Sequence, residues 1–229
     1  MDNMLEIKDI RKRYGRHQVL DGATLSANKG DCIAIAGLNG CGKSTLLSIM
    51  AGTLGCDSGE FIVNGVNLIN DNKKRKGLIG YVPQENPLIS ELSVRDNLRL
   101  WYCDSKLDME EELQKGVLKM LGVDKFVNMR VSRLSGGMKK RVSVGCAIAH
   151  DPAVLLLDEP SAALDLECKE IIRKYMLEHI KRDGIVMIIT HDEAELAVCN
   201  RLVVVRDGKL HEEDRTLRGA DLLKKLSGE

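Results

Sequence analysis

The stretch Asp31-Cys32-Ile33-Ala34-Ile35-Ala36-Gly37-Leu38-Asn39-Gly40-Cys41-Gly42-Lys43-Ser44-Thr45 joins an apolar run to a glycine-rich turn and a helical pattern. Residues 31–36 predict a buried strand, and residues 43–51 predict an α-helix. The turn between them has the spacing GxxxxGK[ST], in which backbone N–H groups of a glycine-rich loop surround phosphate oxygens. The order of strand, loop and helix therefore predicts a phosphate-binding loop (P-loop) within an α/β fold.

The side chains of this loop suit a nucleoside triphosphate with Mg²⁺. The start of the helix adds the positive end of its dipole. The Lys43 ammonium can reach the β- and γ-phosphates, and the Ser44 hydroxyl can ligate Mg²⁺. Cys41, beside the phosphates, predicts sensitivity to thiol reagents. The residues expected to contact the nucleotide are Gly37, Asn39, Gly40, Cys41, Gly42, Lys43, Ser44 and Thr45.

A second apolar run, Val154-Leu155-Leu156-Leu157, is followed by Asp158, Glu159 and a proline. The carboxyl ends of strands are where α/β proteins place their ligands. Successive side chains of a strand point to opposite faces, so the two acids can serve different purposes. We expect Asp158 to hold Mg²⁺ and Glu159 to orient and deprotonate an attacking water.

The segment Leu134-Ser135-Gly136-Gly137-Met138 is also suited to an anion. Ser135 offers a hydroxyl, the two glycines expose backbone N–H groups, and the following helix directs its dipole at the same point. Since the chain already has one phosphate loop, a second phosphate contact implies either a second ligand or a second subunit.

Composition sets the class of protein. The chain has 229 residues, of which 44% are apolar and 30% charged, enough for one large α/β domain or a main domain with a small insert. Its formal net charge is zero, so we expect no nucleic-acid partner. No apolar run is long enough to span a bilayer, and no signal peptide is visible.

The seven cysteines lack CxxC spacing and are predicted to be reduced, mostly as buried small hydrophobes. The basic run 73–76 is interpreted as a solvated loop.

The order of predicted elements divides the chain. Strands dominate its beginning, and βα alternation returns after residue 150. Between them we predict three capped helices, from Ser93 to Trp101, from Asp108 to Leu121 and from Ser135 to Ala149. This order predicts a mostly parallel core sheet, an N-terminal antiparallel β layer and an inserted helical subdomain. The nucleotide-binding core is expected at residues 1–84 and 151–229, and the helical subdomain at about 85–150.

Taken in order, these motifs resemble those of ATP-binding cassette (ABC) ATPases, and the resemblance covers essentially the whole chain. It implies further roles. Tyr14 would stack on adenine, and Gln84 would be the Q-loop glutamine that touches Mg²⁺ and the water. Residues 161–165 would form the D-loop at a dimer interface. His191 would be the switch histidine that contacts the γ-phosphate.

The resemblance also implies an assembly. Ser135, Gly136 and Gly137 would serve the nucleotide of a second subunit, in a head-to-tail homodimer or a pair with a paralogous ABC subunit. The expected activity is ATP hydrolysis that powers transport through separate transmembrane permease subunits, on the cytoplasmic face of the membrane. Met138 replaces the usual Gln and occurs in exporter-type relatives, and Ala163 replaces the usual Gly of the D-loop.

Two alternatives remain beside this interpretation. A soluble ABC ATPase of the iron–sulfur cluster assembly type would also be single and compact. A P-loop kinase or GTPase is disfavoured by residues 134–138. The guanine-reading pattern NKxD occurs at residues 28–31 but precedes the P-loop, so it is interpreted as a turn that enters a strand.

Overall fold

The computed structural model describes residues 4–162, 164–217 and 219–227. It confirms the predicted α/β class, since an antiparallel N-terminal sheet lies beside a larger, mostly parallel sheet flanked by helices. Ala163, at the predicted D-loop, lies outside the described residues.

The N-terminal sheet has the strand order β2-β1-β4-β5, with every pairing antiparallel. Leu5 lies opposite Ala27 on one neighbouring strand and Val63 on the other, and all three side chains are fully buried. One face of this sheet therefore belongs to the core. Its strands are β1 (Leu5–Tyr14), β2 (His17–Ala27), β4 (Ser58–Val63) and β5 (Val66–Asn67).

The larger sheet has the strand order β10-β9-β3-β8-β7-β6, in which only the β10–β9 pairing, among the described strands, is antiparallel. Because the other five strands are parallel, their carboxyl ends share one edge, where α/β proteins bind ligands. The strands are β3 (Cys32–Ala36), β6 (Ile79–Val82), β7 (Val154–Asp158), β8 (Ile185–Ile189), β9 (Arg201–Arg206) and β10 (Lys209–Glu213).

The helices connect and cover these strands. Within the described ranges, none is both long and apolar enough to cross a bilayer. The helices are α1 (Lys43–Ala51), α2 (Asn72–Leu78), α3 (Val94–Tyr102), α4 (Met109–Gln114), α5 (Val117–Met120), α6 (Gly136–Ala147), α7 (Leu166–Lys181), α8 (Glu193–Val198) and α9 (Gly219–Ser227).

The parallel sheet is buried on both faces, as the unbroken apolar strands predict. Along β3, Ile33 and Ile35 pack with α1 and the antiparallel sheet, whereas Cys32, Ala34 and Ala36 pack with the helices of the opposite side. Alternate residues of one strand thus belong to two hydrophobic cores. This packing fixes β3, and with it the loop that follows.

The helix predicted from Asp108 to Leu121 is wrong in its length. Asp108 does cap a helix, but α4 ends at Gln114 and α5 begins at Val117. The Glu112 carboxylate accepts a hydrogen bond from the Val117 N–H at 2.7 Å, and a Cβ on Gly116 would clash with that carboxylate. The side chain thus satisfies a backbone donor at the break, which helical periodicity alone does not reveal.

The interpretation of residues 73–76 as a solvated loop is also wrong. They lie in α2, which Asp71 caps by accepting from the Lys74 N–H at 3.0 Å. Arg75 is buried, and its guanidinium donates to the Ile69 carbonyl at 2.9 Å and to the Asn72 amide oxygen at 2.7 Å. Because oxygens of the preceding turn satisfy the charge, one of four consecutive basic residues can enter the interior.

The cysteines largely follow expectation. All seven are free thiols. The buried ones include Cys32 and Cys199, whose sulfurs lie 3.4 Å apart, whereas Cys103 is exposed. Burial raises the pKa of the Cys146 thiol to about 12, so this side chain behaves as a small apolar residue.

Candidate functional site

The P-loop, residues 37–45, joins the carboxyl end of β3 to α1. The Lys43 side chain is buried, and its ammonium donates to the Gly37 carbonyl at 2.8 Å and to the Leu38 carbonyl at 3.0 Å. Gly42 precedes the helix with φ of 108°, and a Cβ there would meet Val19 at 2.9 Å. Only glycine adopts this conformation at so close an approach. The loop is therefore closed around its own lysine.

The other predicted P-loop side chains lie at the same turn. Gly37 passes so close to β9 that a Cβ would meet the Cys41 sulfur at 2.5 Å and the Val205 carbonyl at 2.9 Å. The Cys41 thiol is half-buried within the loop. Asn39, Gly40 and Ser44 are exposed, and Thr45 is half-buried. The loop thus presents its polar groups at the surface above the sheet.

Asp158 is the last residue of β7 and is only 3% exposed. Burial raises the pKa of its carboxyl, whereas the hydrogen bond from Ser44, and to a lesser degree the charges of Lys140 and Lys43, lower it. A buried carboxylate with no cation of its own is electrostatically unfavourable. The predicted magnesium ligands Ser44 and Asp158 are therefore in contact, and their surroundings favour an added positive charge.

Glu159 leaves the strand in an unexpected way. Its backbone has φ of 45°, and its N–H donates to the Ile189 carbonyl of β8 at 2.9 Å. Glu159 therefore lies just beyond the strand in the left-handed region, so the predicted strand alternation does not extend to its side chain. Such strained conformations are enriched at active sites.

Three predicted residues meet at this carboxylate. The Gln84 amide donates to one Glu159 oxygen at 3.2 Å, and His191 Nε2 lies 3.7 Å from the other. Gln84 follows β6, Glu159 follows β7, and His191 follows β8, so three neighbouring parallel strands deliver the cluster to one edge. Gln84 and His191 are exposed, so a ligand that approaches from solvent can reach both side chains.

Ser135 caps α6 by accepting a hydrogen bond from the Met138 N–H at 3.2 Å. Ser135 and Gly136 are exposed, and a Cβ on Gly136 would meet nothing within 4 Å. Gly137 packs near Asp165 and Cys168 at the start of α7. Within the described ranges, no hydrogen bond or ion pair joins residues 135–137 to the P-loop. The structure therefore does not bring the two phosphate-binding segments together within one chain by such contacts.

Tyr14 ends β1 at the hairpin to β2. Its side chain is about half exposed, and the Lys12 ammonium lies 5.5 Å from the ring centroid. A ring accessible on one side is available for stacking. Its role toward adenine stays a prediction.

Sequence reasoning missed the buried polar residues behind the site. Lys140 on α6 donates to the Pro83 carbonyl at 2.9 Å and to the Gln84 carbonyl at 3.0 Å. Glu195 on α8 is fully buried and hydrogen-bonded to the Thr190 hydroxyl, and burial raises the pKa of its carboxyl. Nothing in the sequence distinguishes Lys140 from Lys139. A carboxylate four residues beyond His191 on a short helix was the available signal for Glu195.

Comparison with known proteins now decides the family. The model of the ABC transporter family matches residues 20–162, which is more than half of the chain. The chain belongs to the ABC transporter family. It is the ATP-binding, ATP-hydrolysing component of such a transporter, and its resemblance to ABC ATPases is confirmed.

Curated relatives include transport proteins of both directions. The Nod factor export ATP-binding protein I of Rhizobium etli is 32% identical over 228 residues, which cover 98% of this chain and 71% of the relative. The spermidine/putrescine import ATP-binding protein PotA of Bacteroides fragilis is 34% identical over 214 residues, which cover 92% of this chain. The chain spans about half of the importer subunit, since the match covers 46% of it. Both names describe ATP-binding subunits of transport systems.

A solved relative supplies the state of assembly in this ABC family. The ATP-binding cassette MJ0796, solved as a dimer in a post-hydrolysis state bound to ADP and Pi, is 28% identical. It aligns with a TM-score of 0.81 over 94% of this chain and 100% of its own. ABC cassettes thus form dimers.

Proposed function

We propose that this cassette hydrolyses Mg²⁺-ATP in a head-to-tail dimer and thereby powers transport through separate permease subunits, on the cytoplasmic face of a membrane. The cluster of Gln84, Glu159 and His191 beside the buried Asp158 is the observation that carries the proposal. It combines a carboxylate suited to accept a proton with two polar groups that can orient a water molecule.

Nucleotide binding is proposed to begin at the P-loop. In this structure the Lys43 ammonium donates hydrogen bonds to the loop carbonyls of Gly37 and Leu38. Phosphate oxygens carry charge and are stronger acceptors than neutral carbonyls, so the ammonium would donate to them when ATP is present. The uncapped start of α1 supplies backbone N–H groups directed at the same phosphates.

The residues around Asp158 fit a magnesium ion. Mg²⁺ prefers oxygen ligands and in triphosphate sites takes only one or two from the protein, with the rest from phosphate and water. Among the described residues no cluster of three His, Cys, Asp or Glu side chains could hold a metal, which agrees with this sparse pattern. Ser44, Asp158 and Gln84 would hold the ion, whose charge would stabilise the negative charge on the phosphates.

Glu159 is proposed as the general base. Its two oxygens face Gln84 and His191, so a water bound between these groups would lie within reach of the carboxylate. Glu159 would accept a proton as the water attacks the γ-phosphate, and His191 would contact that phosphate. The Glu159 backbone, anchored to Ile189, keeps the carboxylate at the edge of the sheet.

The second half of the site is proposed to come from the partner cassette. The Ser135 hydroxyl accepts from Met138 and still has a hydrogen to donate. Together with the backbone N–H groups of exposed Gly136 and half-buried Gly137, it would contact the nucleotide held by the other P-loop. The partner is either a second copy of this chain or a paralogous ABC subunit.

A groove next to the Q-loop is the proposed permease contact. It has a volume of about 570 Å³ and lies between the core and the proposed helical subdomain, residues 85–150. Tyr81 and Pro83 line one part, and Trp101 and Ala147 another. Exposed Trp101 and Leu100 add apolar surface at the end of α3. A permease segment seated there would sense movement of Gln84 through Pro83.

The test is Glu159→Gln, which removes the base but keeps the shape. We expect hydrolysis to fall by about 10²- to 10⁴-fold, with ATP binding retained and an ATP-bound dimer accumulating. Phosphate release measures turnover, and size-exclusion chromatography measures the dimer. Glu91→Gln, at an exposed loop residue, is the matched control. Wild-type turnover in Glu159→Gln would contradict the assignment.

A further inference from the structure

Lys140 is a buried cation that the proposed reaction does not use. It lies on α6 and is only 4% exposed. Its ammonium donates to the Pro83 carbonyl at 2.9 Å and to the Gln84 carbonyl at 3.0 Å. Across the described residues, no carboxylate lies within ion-pair distance of this ammonium. Two neutral carbonyls are therefore its direct partners.

The position of this charge makes those partners necessary. Burial lowers the pKa of Lys140, although the negative charges of the Asp158 and Glu159 carboxylates oppose the shift. A buried ammonium that loses its acceptors is strongly disfavoured. If the Q-loop moved away from α6, the ammonium would lose both acceptors at once. The Q-loop and α6 are therefore expected to move together.

The two carbonyls belong to the segment that carries the catalytic amide. Val82 ends β6, and Pro83 and Gln84 follow immediately. Lys140 fixes the Gln84 backbone through its carbonyl, while the Gln84 side chain contacts Glu159 at 3.2 Å. Displacing the carbonyl would therefore move the amide relative to the carboxylate.

The same helix begins at the segment proposed to face the partner. Ser135 caps α6, and Lys140 lies five residues further along. We propose that Lys140 is a positioning residue that fixes Gln84 beside Glu159 and couples it to the Ser135 end of α6. This coupling rests on the proposed function, in which Ser135 serves the partner's nucleotide. When Ser135 contacts the partner's nucleotide, movement of α6 would thus change the position of Gln84 in the site of its own chain.

The first experiment is Lys140→Met, which keeps most of the length and removes the charge and the donors. Because misplacement of a catalytic group by about 1 Å can cost 10²-fold, we expect kcat for ATP hydrolysis to fall about 10- to 100-fold. KM for ATP should stay within about twofold, since Lys140 does not touch the P-loop. Lys139→Met makes the same change at the adjacent, half-buried lysine and should leave kcat within about twofold.

A double-mutant cycle with Gln84→Ala separates positioning from general destabilisation. If Lys140 acts through Gln84, Lys140→Met should lower kcat no further once the Gln84 amide is gone. Lys140→Arg retains the charge and several donors, and should recover part of the lost kcat. Thermal unfolding of every variant shows whether the losses follow stability instead.

Independent, multiplicative losses in the double variant would overturn the proposal, as would wild-type kcat in Lys140→Met or in Gln84→Ala. If Lys140→Met does not fold, Lys140→Gln, which keeps a neutral donor, takes its place in the cycle under the same criteria. These outcomes are distinct from failure of the proposed function, which would appear as normal turnover in Glu159→Gln.

Discussion

Two helices of this cassette begin at glycine-rich turns suited to phosphate, and they are built differently. The P-loop helix α1 starts at Gly42 in a left-handed conformation and has no side-chain cap. The helix α6 starts at Ser135 in an ordinary extended conformation, and the serine caps it by accepting from Met138. The first helix therefore leaves its donors for a ligand, and the second already satisfies one of them itself.

The two helices also differ in the carbonyls to which their buried lysines donate. Lys43 turns into the P-loop, where its ammonium meets the carbonyls of Gly37 and Leu38. Lys140 of α6 instead donates to the Pro83 and Gln84 carbonyls of the Q-loop. One glycine turn thus has a cation within it, which suits the proposed binding of a triphosphate by a single chain. The other offers only dipoles and a hydroxyl, which suits a contact made after the nucleotide is already held.

Replacing the P-loop cation should have the largest effect on this contrast. Lys43→Met removes the ammonium expected to meet the β- and γ-phosphates. Loss of one preorganised donor to a developing charge should lower hydrolysis about 10²- to 10³-fold. Nucleotide binding to the isolated chain should weaken about tenfold or more, since hydrogen bonds to charged groups contribute about 1.5–3 kcal/mol.

Equilibrium binding of a fluorescent ATP analogue and phosphate release measure the two effects of Lys43→Met. Lys29→Met, at a surface lysine 3.8 Å from Asp183, provides the control and should change neither. Unchanged binding in Lys43→Met would show that the P-loop does not depend on its cation, and the contrast between the two turns would be lost.

The sequence predicted the two turns more accurately than their surroundings. Spacing located the P-loop and the cap at Ser135, because these depend on residue types at fixed local offsets. The left-handed backbone at Glu159 could not be read from the sequence, since it arises where β7 ends against Ile189 of β8. The buried charges of Arg75 and Lys140 were missed for a related reason. Most of their acceptors are backbone carbonyls, which every residue carries and which no sequence pattern marks.

Ser135→Arg tests whether the second turn serves a neighbouring molecule. An arginine there would place a bulky charged group where a partner's nucleotide is proposed to lie. Binding of ATP to the monomer should stay within about twofold, because no described contact joins residue 135 to the P-loop. ATP-driven dimerisation, followed by size-exclusion chromatography in the Glu159→Gln background, should weaken at least tenfold, about 1.4 kcal/mol.

The control for Ser135→Arg is Ser90→Arg, the same change at an exposed residue outside the turn. Its dimerisation should match that of the parent chain. Normal dimerisation of the Ser135→Arg chain with ATP would contradict the shared site and would point to a second ligand in the same chain.

The smallest expected effect is on stability, and it concerns the buried acid beside the P-loop. Burial raises the pKa of Asp158 above its ordinary value of 3.8, so the folded chain binds the proton more tightly than the unfolded chain. Its contribution to the free energy of unfolding therefore falls as pH rises from about 3.8 to the raised pKa, and above the raised pKa the destabilisation is complete. Asp158→Asn removes the charge but keeps an oxygen that can accept from Ser44.

Without nucleotide or metal, Asp158→Asn should therefore raise Tm by about 2–4 °C, the shift that about 1 kcal/mol produces in a chain of this size, while lowering hydrolysis. Asp165→Asn makes the same change at the exposed cap of α7, near Gly137, and should leave Tm nearly unchanged because Asn and Asp cap helices about equally well. Scanning calorimetry from pH 5 to 8 measures both. A drop in Tm for Asp158→Asn would mean that Ser44 and the nearby cations already stabilise the charge, so that the P-loop side would need no metal to balance it. A rise confined to Asp158→Asn would place an uncompensated buried charge beside the P-loop turn and none at the Asp165 cap beside the turn at Ser135.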